Sequence, residues 1–148
     1  MPDQMPAFTI SENDEGFLNV TDTVGRNSVN KPNDVLLVQA MLHIIMPYTY
    51  SIPQESLTYP SGTYDSRTAT AILKYQEASS RSRRVKIWKD GFINRAVGAH
   101  VPGKKRVWTI TYMNEDLYYA YLVYGYGRNY SEWLYSEYPQ LQEYAAYY

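Results

Sequence analysis

The residues best suited to binding chemistry lie beside two glycine-containing turns. Tyr64 and Arg67 follow the first turn, and Trp88 and Asp90 flank the second. The rings of Tyr64 and Trp88 offer apolar faces to a sugar, and Arg67 has forked donors that suit a carboxylate. These four residues are the candidate ligand-binding set. Two of them also have a structural interpretation: Tyr64 can pack over a helix junction, and the Asp90 side chain favours a local bond to the turn backbone.

Catalytic chemistry has little support in the sequence. No Gly-x-Ser-x-Gly elbow is present, and the chain has no cysteine nucleophile. A glycan hydrolase needs two carboxylates, one of them with a raised pKa. Glu12, Asp14, Glu15 and Asp22 are available, but their polar N-terminal arm is typical of a solvated surface. We therefore predict no catalytic residue and no enzyme activity, and a small glycan hydrolase is the weakest alternative.

The sequence also offers no metal or cofactor site. His43 and His100 are the two histidines, and no HxxxH or similar ligand spacing is present. A zinc site needs about three or four ligands with a second shell. The absence of cysteine removes thiolate ligands and disulfides as well. We therefore predict neither a metal nor a cofactor.

Charge and tyrosine content are unevenly distributed along the 148 residues. The net charge is −1, which argues against extensive nucleic-acid binding. Basic residues are concentrated between Arg67 and Arg106, and we interpret the run "SRSRRVK" as a solvated segment that can also attract an anionic polymer. Twelve of the 17 tyrosines lie at or after Tyr112. Such a tail indicates either an interface with a protein or a sugar, or an ordinary packing layer.

The chain shows no sequence feature of a Sec-exported or membrane-spanning protein. The segment "MPDQMPAFTI" lacks the basic and apolar regions of a signal peptide, and no apolar run approaches the roughly 20 residues that span a bilayer. We expect no membrane partner. The expected location is the cytoplasm, or the periplasm or cell surface after export by a route that reads no such signal.

Apolar periodicity predicts a mainly α-helical fold. A first helix is expected to be capped by Asn33 or Asp34 and to end before Pro47, because the residue before a proline disfavours helical geometry. A second helix is expected to be capped by Asp65 or Ser66. The predicted core faces of the two helices are Val35, Val38, Leu42 and Ile45, and Ala69, Ile72, Leu73 and Gln76.

The remaining segments complete this prediction. A third helix is expected from about Val107 to Gly125 or Gly127, Ser131 is the predicted cap of a fourth, and Pro139 suits the first turn of a last helix. Near the N-terminus, "AFTI" and "GFLNV" are interpreted as weak strands or as an ordered arm. Gln39 and Gln76 are interpreted as buried amides that satisfy loop backbone groups.

Three segments occur in an order typical of a known family: "NDVLLVQAMLHII", "YPSGTYDSRTATAILKYQ" and "KDGFINRA". Together they resemble the peptidoglycan-binding domain family, whose pattern is a Val…Gln…Leu helix, a glycine turn with an aromatic residue, a Thr-containing helix ending in an aromatic–Gln pair, and a closing Asp–Gly turn. The resemblance covers about residues 24–97, and "VGRNSVNKPNDV" looks like the lead-in of a proteobacterial subset. The matching residues are Val35, Val38, Gln39, Leu42, Gly62, Tyr64, Thr68, Ala71, Tyr75, Gln76, Asp90 and Gly91.

The resemblance implies a compact bundle of three helices that docks on cell-wall glycan or stem peptide as a non-catalytic module. The chain departs from the pattern at Ser61 and Asp65 and in having no Thr-started helix after the closing turn. We predict one domain with an N-terminal arm (1–32), a peptidoglycan-binding-like core (33–97) and a Tyr-rich helical extension (98–148). The predicted function is recognition of bacterial peptidoglycan. The alternative is a protein–protein adaptor or secretion-system-associated component that uses the Tyr-rich C-terminal helices.

Overall fold

A computed structural model describes residues 17–57, 59–97, 107–125 and 130–141. Within these ranges the chain is mainly helical, as the periodicity predicts, and no β-strand is present. The α-helices found there are α1 (Pro32–Tyr50), α2 (Ser66–Arg83), α3 (Thr109–Tyr124) and α4 (Tyr130–Glu137). A short 3-10 helix, Gln54–Ser56, lies between α1 and α2. None of the described helices is both long enough and apolar enough to cross a membrane.

The first helix, α1, lies at the centre of the fold. Every residue from 34 to 42 is buried, so α1 has no solvent-facing side along this stretch. Both α2 and α3 pack on α1, and α4 packs on α3. A helix surrounded in this way needs apolar residues on all its faces, which the sequence of α1 supplies. The resulting hydrophobic core includes residues as far apart in the chain as Leu18 and Leu141.

The predicted core face of the first helix is confirmed, and that of the second is confirmed in part. On α1, all four predicted core residues are buried: Val35, Val38, Leu42 and Ile45. On α2, Ile72 and Gln76 are buried, whereas Ala69 and Leu73 are half-buried. The buried face of α2 consists of Thr68, Ala71, Ile72, Tyr75, Gln76 and Ser79.

The prediction that Pro47 ends the first helix is wrong. The helix continues to Tyr50, and Ser51 then adopts a left-handed backbone conformation with a φ of 58°. Because proline has no N–H, the carbonyl of His43, four residues earlier, has no helical hydrogen-bond partner. Gln54 Nε2 donates to that carbonyl oxygen at 3.0 Å. The loop after α1 therefore supplies the hydrogen bond that Pro47 removes.

The predicted cap of the first helix is also wrong. Lys31 is the N-cap residue, and it makes no side-chain capping hydrogen bond. The buried Asp34 carboxylate instead accepts from the backbone N–H groups of Thr21 and Asp22 at 2.8 and 3.0 Å, and from the Thr21 hydroxyl at 2.8 Å. Asp34 therefore fastens the segment before α1 to the helix.

The other helix ends follow the predictions in part. Asp65 caps α2, since its Oδ1 accepts from the Thr68 N–H at 2.9 Å, and α3 ends directly before Gly125 as predicted. The prediction that Ser131 caps the fourth helix is wrong, because α4 begins one residue earlier. Pro139 begins a short 3-10 turn at residues 139–141, and the rest of the predicted last helix lies outside the described residues.

Asparagine side chains, rather than paired strands, fix the extended segments to the rest of the fold. Asn114 of α3 accepts from the Leu18 N–H at 3.0 Å and donates to the Leu18 carbonyl at 2.8 Å. Asn19 pairs in the same two-way manner with the backbone of Ala96, with both bonds at 3.0 Å. Residues 17–20, the described part of "GFLNV", form no strand and match the alternative of an ordered arm.

Candidate ligand-binding groove

A glutamine of α1 holds the first glycine turn. Gln39 is buried, and its Oε1 accepts from the backbone N–H groups of Ser61 and Gly62 at 2.8 and 2.9 Å. Its Nε2 donates to the Thr63 carbonyl and to the Thr68 hydroxyl, both at 3.0 Å. Gly62 has a φ of +85°, a left-handed conformation that favours glycine. The predicted role of Gln39 as a buried amide that satisfies the loop is confirmed.

A glutamine of α2 holds the second glycine turn in a similar way. Gln76 Oε1 accepts from the Gly91 N–H at 2.9 Å, and its Nε2 donates to Asp90 Oδ1 and to the Phe92 carbonyl at 3.1 and 3.2 Å. Asp90 Oδ1 also accepts from the Phe92 N–H at 3.0 Å, which confirms the predicted local turn bond. Gly91 has a φ of +79°. Each turn is therefore fixed by an amide from the helix that precedes it.

A groove of about 640 Å³ lies between the two turns. Ala69 and Leu73 of α2 give it an apolar lining, with Tyr64 from the first turn and Phe92 from the second. Small-molecule sites enclose about 300–1,000 Å³, so this groove lies in the range of a ligand site.

Arg26 lines the groove and was missed at the level of sequence. Val24, two residues earlier, pairs with Ile93 through two backbone hydrogen bonds of 3.0 and 2.9 Å. This bridge brings the lead-in loop beside the second turn. Burial raises the pKa of Tyr64, and the nearby Arg26 charge acts in the opposite direction. The arginine that lines the groove therefore comes from a loop that is distant in sequence from both turns, and it shares the lining with two carboxylates, Asp65 and Asp90.

Two of the four predicted ligand-binding residues line the groove, and the other two lie elsewhere. Tyr64 and Asp90 both line the groove. Arg67 is exposed, and its Nη2 donates to the Glu55 carbonyl at 2.8 Å rather than lining the groove. Trp88, which is 53% exposed, lines a neighbouring pocket together with Asp90. One aromatic ring and one carboxylate of the predicted set therefore meet in the groove.

This neighbouring pocket, here called the indole pocket, has a volume of about 110 Å³. Trp88 and Trp108 both line it, and Lys86 Nζ lies 5.6 Å from the centroid of the Trp88 ring. Asp90 and Phe92 line both the indole pocket and the groove. The second turn is thus a ridge between two concave surfaces.

A buried ionic cluster between α2 and α3 was also missed. The interpretation of "SRSRRVK" as a solvated segment is wrong for Arg83, whose side chain is 15% exposed. Its guanidinium pairs with Glu115 and with Asp116, the latter at 2.7 Å between Nη2 and Oδ1. It also lies 4.5 Å from the centroid of the Tyr112 ring. The Tyr75 hydroxyl donates to Asp116 Oδ2 at 2.7 Å.

Burial controls the protonation of this cluster. It raises the pKa of Tyr50 to about 12 and that of Tyr75 well above its usual value, and the charge of Asp116 adds to both shifts. Burial also raises the pKa of Glu115, against the lowering effect of its bond with Arg83. For Arg83, burial lowers the pKa, but Tyr75 and Asp116 outweigh it and the net pKa is raised. The guanidinium therefore stays charged.

Metal-binding geometry does not occur in the part of the chain that the structure describes, since no three His, Cys, Asp or Glu side chains cluster there. His43 Nδ1 lies 2.7 Å from the Tyr138 hydroxyl, and burial lowers the pKa of this histidine. Of the remaining candidates for metal or acid chemistry, Asp22 accepts from the Thr23 N–H through Oδ1 at 3.0 Å. The others lie outside the described residues: His100, Glu12, Asp14 and Glu15.

Comparison of the chain with protein-family models, with curated proteins and with solved structures gives no match in any of the three.

Proposed function

We propose that this protein is a non-catalytic module that recognises bacterial cell-wall peptidoglycan. The sequence motifs of the proposed core, residues 33–97, resemble those of peptidoglycan-binding domains, and residues 98–148 are its proposed C-terminal extension, of which the structure describes α3 and α4. Two residues of the matching motifs, Gln39 and Gln76, fix the glycine turns on either side of one groove. This contact pattern supports the proposal because both motif glutamines shape the same surface.

The lining of the groove is the observation on which the proposal depends. Peptidoglycan combines sugar rings, which have apolar faces, with stem peptides, which have carboxylates. Tyr64 and Phe92 present aromatic surface on the two sides of the groove, and Arg26 supplies a forked cation. Aromatic faces suit the sugar rings, and a guanidinium suits the carboxylate through paired donors. A shallow groove with these groups fits a polymer better than it fits an enclosed metabolite.

A binding role, rather than hydrolysis, is supported by the position of the one described carboxylic acid that has a raised pKa. A wall hydrolase needs such a group as its general acid. Glu115 has a raised pKa, but it is buried between helices in an ion pair with Arg83. It does not line the groove. The groove carboxylate Asp90 instead holds its own turn through Oδ1.

The test is a pull-down with purified insoluble peptidoglycan. Tyr64→Ala and Arg26→Ala should each weaken binding by about tenfold, which corresponds to about 1.4 kcal/mol and is typical of one charge-assisted contact or one aromatic contact. The helical circular dichroism should not change. Added salt should weaken the contribution of Arg26 more than that of Tyr64, because exposed charges are screened.

Arg67→Ala is the matched control, since Arg67 is also an exposed arginine but donates to the Glu55 carbonyl. It should bind peptidoglycan as the unmodified protein does. If Arg67→Ala weakens binding and Arg26→Ala does not, the carboxylate contact lies outside the groove. Release of soluble fragments from labelled peptidoglycan, abolished by a single carboxylate substitution, would overturn the non-catalytic role.

A protein–protein adaptor is the second candidate, and an exposed apolar face of α3 favours it. Tyr119, Leu122 and Val123 lie on one side of the helix and are 37%, 56% and 50% exposed. Beside them, the Tyr48 and Tyr124 rings meet edge to face at 5.6 Å. If this function holds, a bait with Leu122→Asp should lose a stoichiometric protein partner from an envelope extract and keep its peptidoglycan binding.

A further inference from the structure

The ridge formed by the second turn separates two surfaces of different size. The groove has room for a chain of linked groups, whereas the indole pocket encloses about 110 Å³. This volume is a small fraction of that of the groove and lies below the range of about 300–1,000 Å³ that is typical of whole-ligand sites. The indole pocket therefore suits a short substituent of a ligand rather than the whole ligand. The substituent of a ligand that lies along the groove can therefore enter the indole pocket across the ridge.

The lining of the indole pocket restricts the chemistry of that substituent. Trp88 and Trp108 supply apolar surface, which suits a methyl group. Lys86 places a cationic donor 5.6 Å from the Trp88 ring centroid, within reach of a carbonyl oxygen that enters the pocket. Asp90, on the ridge, repels an anionic substituent. The pocket thus favours a small neutral group that has both an apolar end and polar atoms.

Asp90 has an acceptor oxygen at this position. Its Oδ1 is occupied by the Gln76 amide and the Phe92 N–H. No residue in the described ranges bonds to its Oδ2. Because the turn fixes the carboxylate through Oδ1, Oδ2 is held on the ridge at no further cost in side-chain entropy. It can accept an N–H from a ligand that crosses from the groove into the indole pocket.

We propose that the indole pocket binds the acetamido group of an N-acetylated amino sugar. The methyl group packs on Trp88 and Trp108, the carbonyl accepts from Lys86, and the amide N–H donates to Asp90 Oδ2. The sugar ring crosses Phe92, and an acidic substituent of the ligand extends along the groove to Arg26. This inference rests on the proposed function and makes it more specific, since it assigns recognition of the acetamido group to one pocket and to the residues that line it.

The test compares the binding of chitotetraose, its deacetylated glucosamine analogue and cellotetraose by titration calorimetry. Chitotetraose should bind at least tenfold more tightly than the other two. Trp88→Ala should weaken chitotetraose binding by about tenfold, and so should Asp90→Asn. Asparagine keeps an oxygen for the Phe92 and Gln76 bonds and replaces the second oxygen with a donor, so the turn should stay intact, and thermal unfolding monitors this. Tyr119→Ala, which removes an exposed ring on α3, is the control and should bind as the unmodified protein does.

Equal affinity for the acetylated and deacetylated sugars would overturn the inference, and so would full binding by both Trp88→Ala and Asp90→Asn. The peptidoglycan pull-down separates this failure from failure of the proposed function. If peptidoglycan binds through Tyr64 and Arg26 while the acetyl group has no effect, the inference alone fails. If chitotetraose binds at Trp88 while intact peptidoglycan does not bind, the proposed function fails and the acetamido site stands.

Discussion

Replacing Arg83 with methionine is expected to lower the free energy of unfolding by about 3–5 kcal/mol. Arg83 is the cation that pairs with both Glu115 and Asp116, whose side chains are each 6% exposed. Its removal leaves two carboxylates buried without their counter-charge. Methionine keeps an unbranched apolar stem of similar reach, so the loss reports the missing charge more than missing packing. Urea unfolding followed by circular dichroism measures the change.

Arg81→Met is the matched control, because it makes the same substitution one half-turn away on the same helix. The Arg81 side chain is 75% exposed and pairs with Glu77 at 3.2 Å. Exposed ion pairs four residues apart on a helix contribute about 0.3–0.5 kcal/mol to the free energy of unfolding. Equal losses in the two variants, or a loss below about 1 kcal/mol for Arg83→Met, would contradict the buried cluster because they fall in the range of surface changes.

Glu115 gives the Arg83 variant a pH dependence with a definite sign. Burial already raises the pKa of Glu115, so the folded chain holds this proton more tightly than the unfolded chain does. The stability that this bound proton contributes is present at low pH and is lost as the pH rises through the pKa of Glu115 in the folded chain. Without Arg83, the positive charge that opposes the effect of burial on the pKa of Glu115 is gone. Arg83→Met should therefore be less destabilised at mildly acidic pH than at neutral pH, and adding Glu115→Gln should reduce that difference.

Sequence patterns predicted the features whose determinants are neighbours in the chain. The Asp65 cap depends on Thr68, three residues later, and both stand in the printed sequence as a typical helix start. The end of α3 falls directly before Gly125, one of the two glycines that predicted it. The buried amides Gln39 and Gln76 were also predictable, because a polar residue on an apolar stripe needs a partner. Each of these inferences used information within one or two turns of helix.

Features that depend on distant residues could not be predicted in the same way. Pro47 stays within α1 because Gln54, in the following loop, supplies the missing donor to the His43 carbonyl. Arg83 is buried because α3 brings two acids to it from more than 30 positions away. The adjacent acids Glu115 and Asp116 in an otherwise uncharged helix were the available signal, since buried carboxylates need a cation.

The candidate site shows the same division between near and distant determinants. Tyr64 and Asp90 belong to the two turns, and the sequence identified both as binding candidates. Arg26 enters the groove through the pairing of Val24 with Ile93, a contact between segments that show no strand pattern. The sequence offered Arg67 as the cation because Arg67 is near Tyr64 in the chain. Its side chain instead turns to the Glu55 carbonyl.

The second large effect is expected in the core, where Leu42→Ala should lower the free energy of unfolding by about 2–5 kcal/mol. Leu42 is 2% exposed on α1, the helix on which both α2 and α3 pack. Truncation to alanine loses buried apolar surface and leaves a cavity that rigid neighbours fill only in part. Chemical denaturation of the folded protein measures the loss, with the m-value monitoring any change in the unfolded state.

Two further variants make the Leu42 prediction specific to burial and shape. Leu122→Ala is the same chemical change on α3 at a side chain that is 56% exposed, and it should alter stability by less than about 0.5 kcal/mol. Leu42→Met nearly conserves volume and should cost less than about 1.5 kcal/mol. If Leu42→Ala costs no more than Leu122→Ala, α1 is not the central helix. The two glutamine-held turns that α1 and α2 position would then lack the rigid support on which the groove depends.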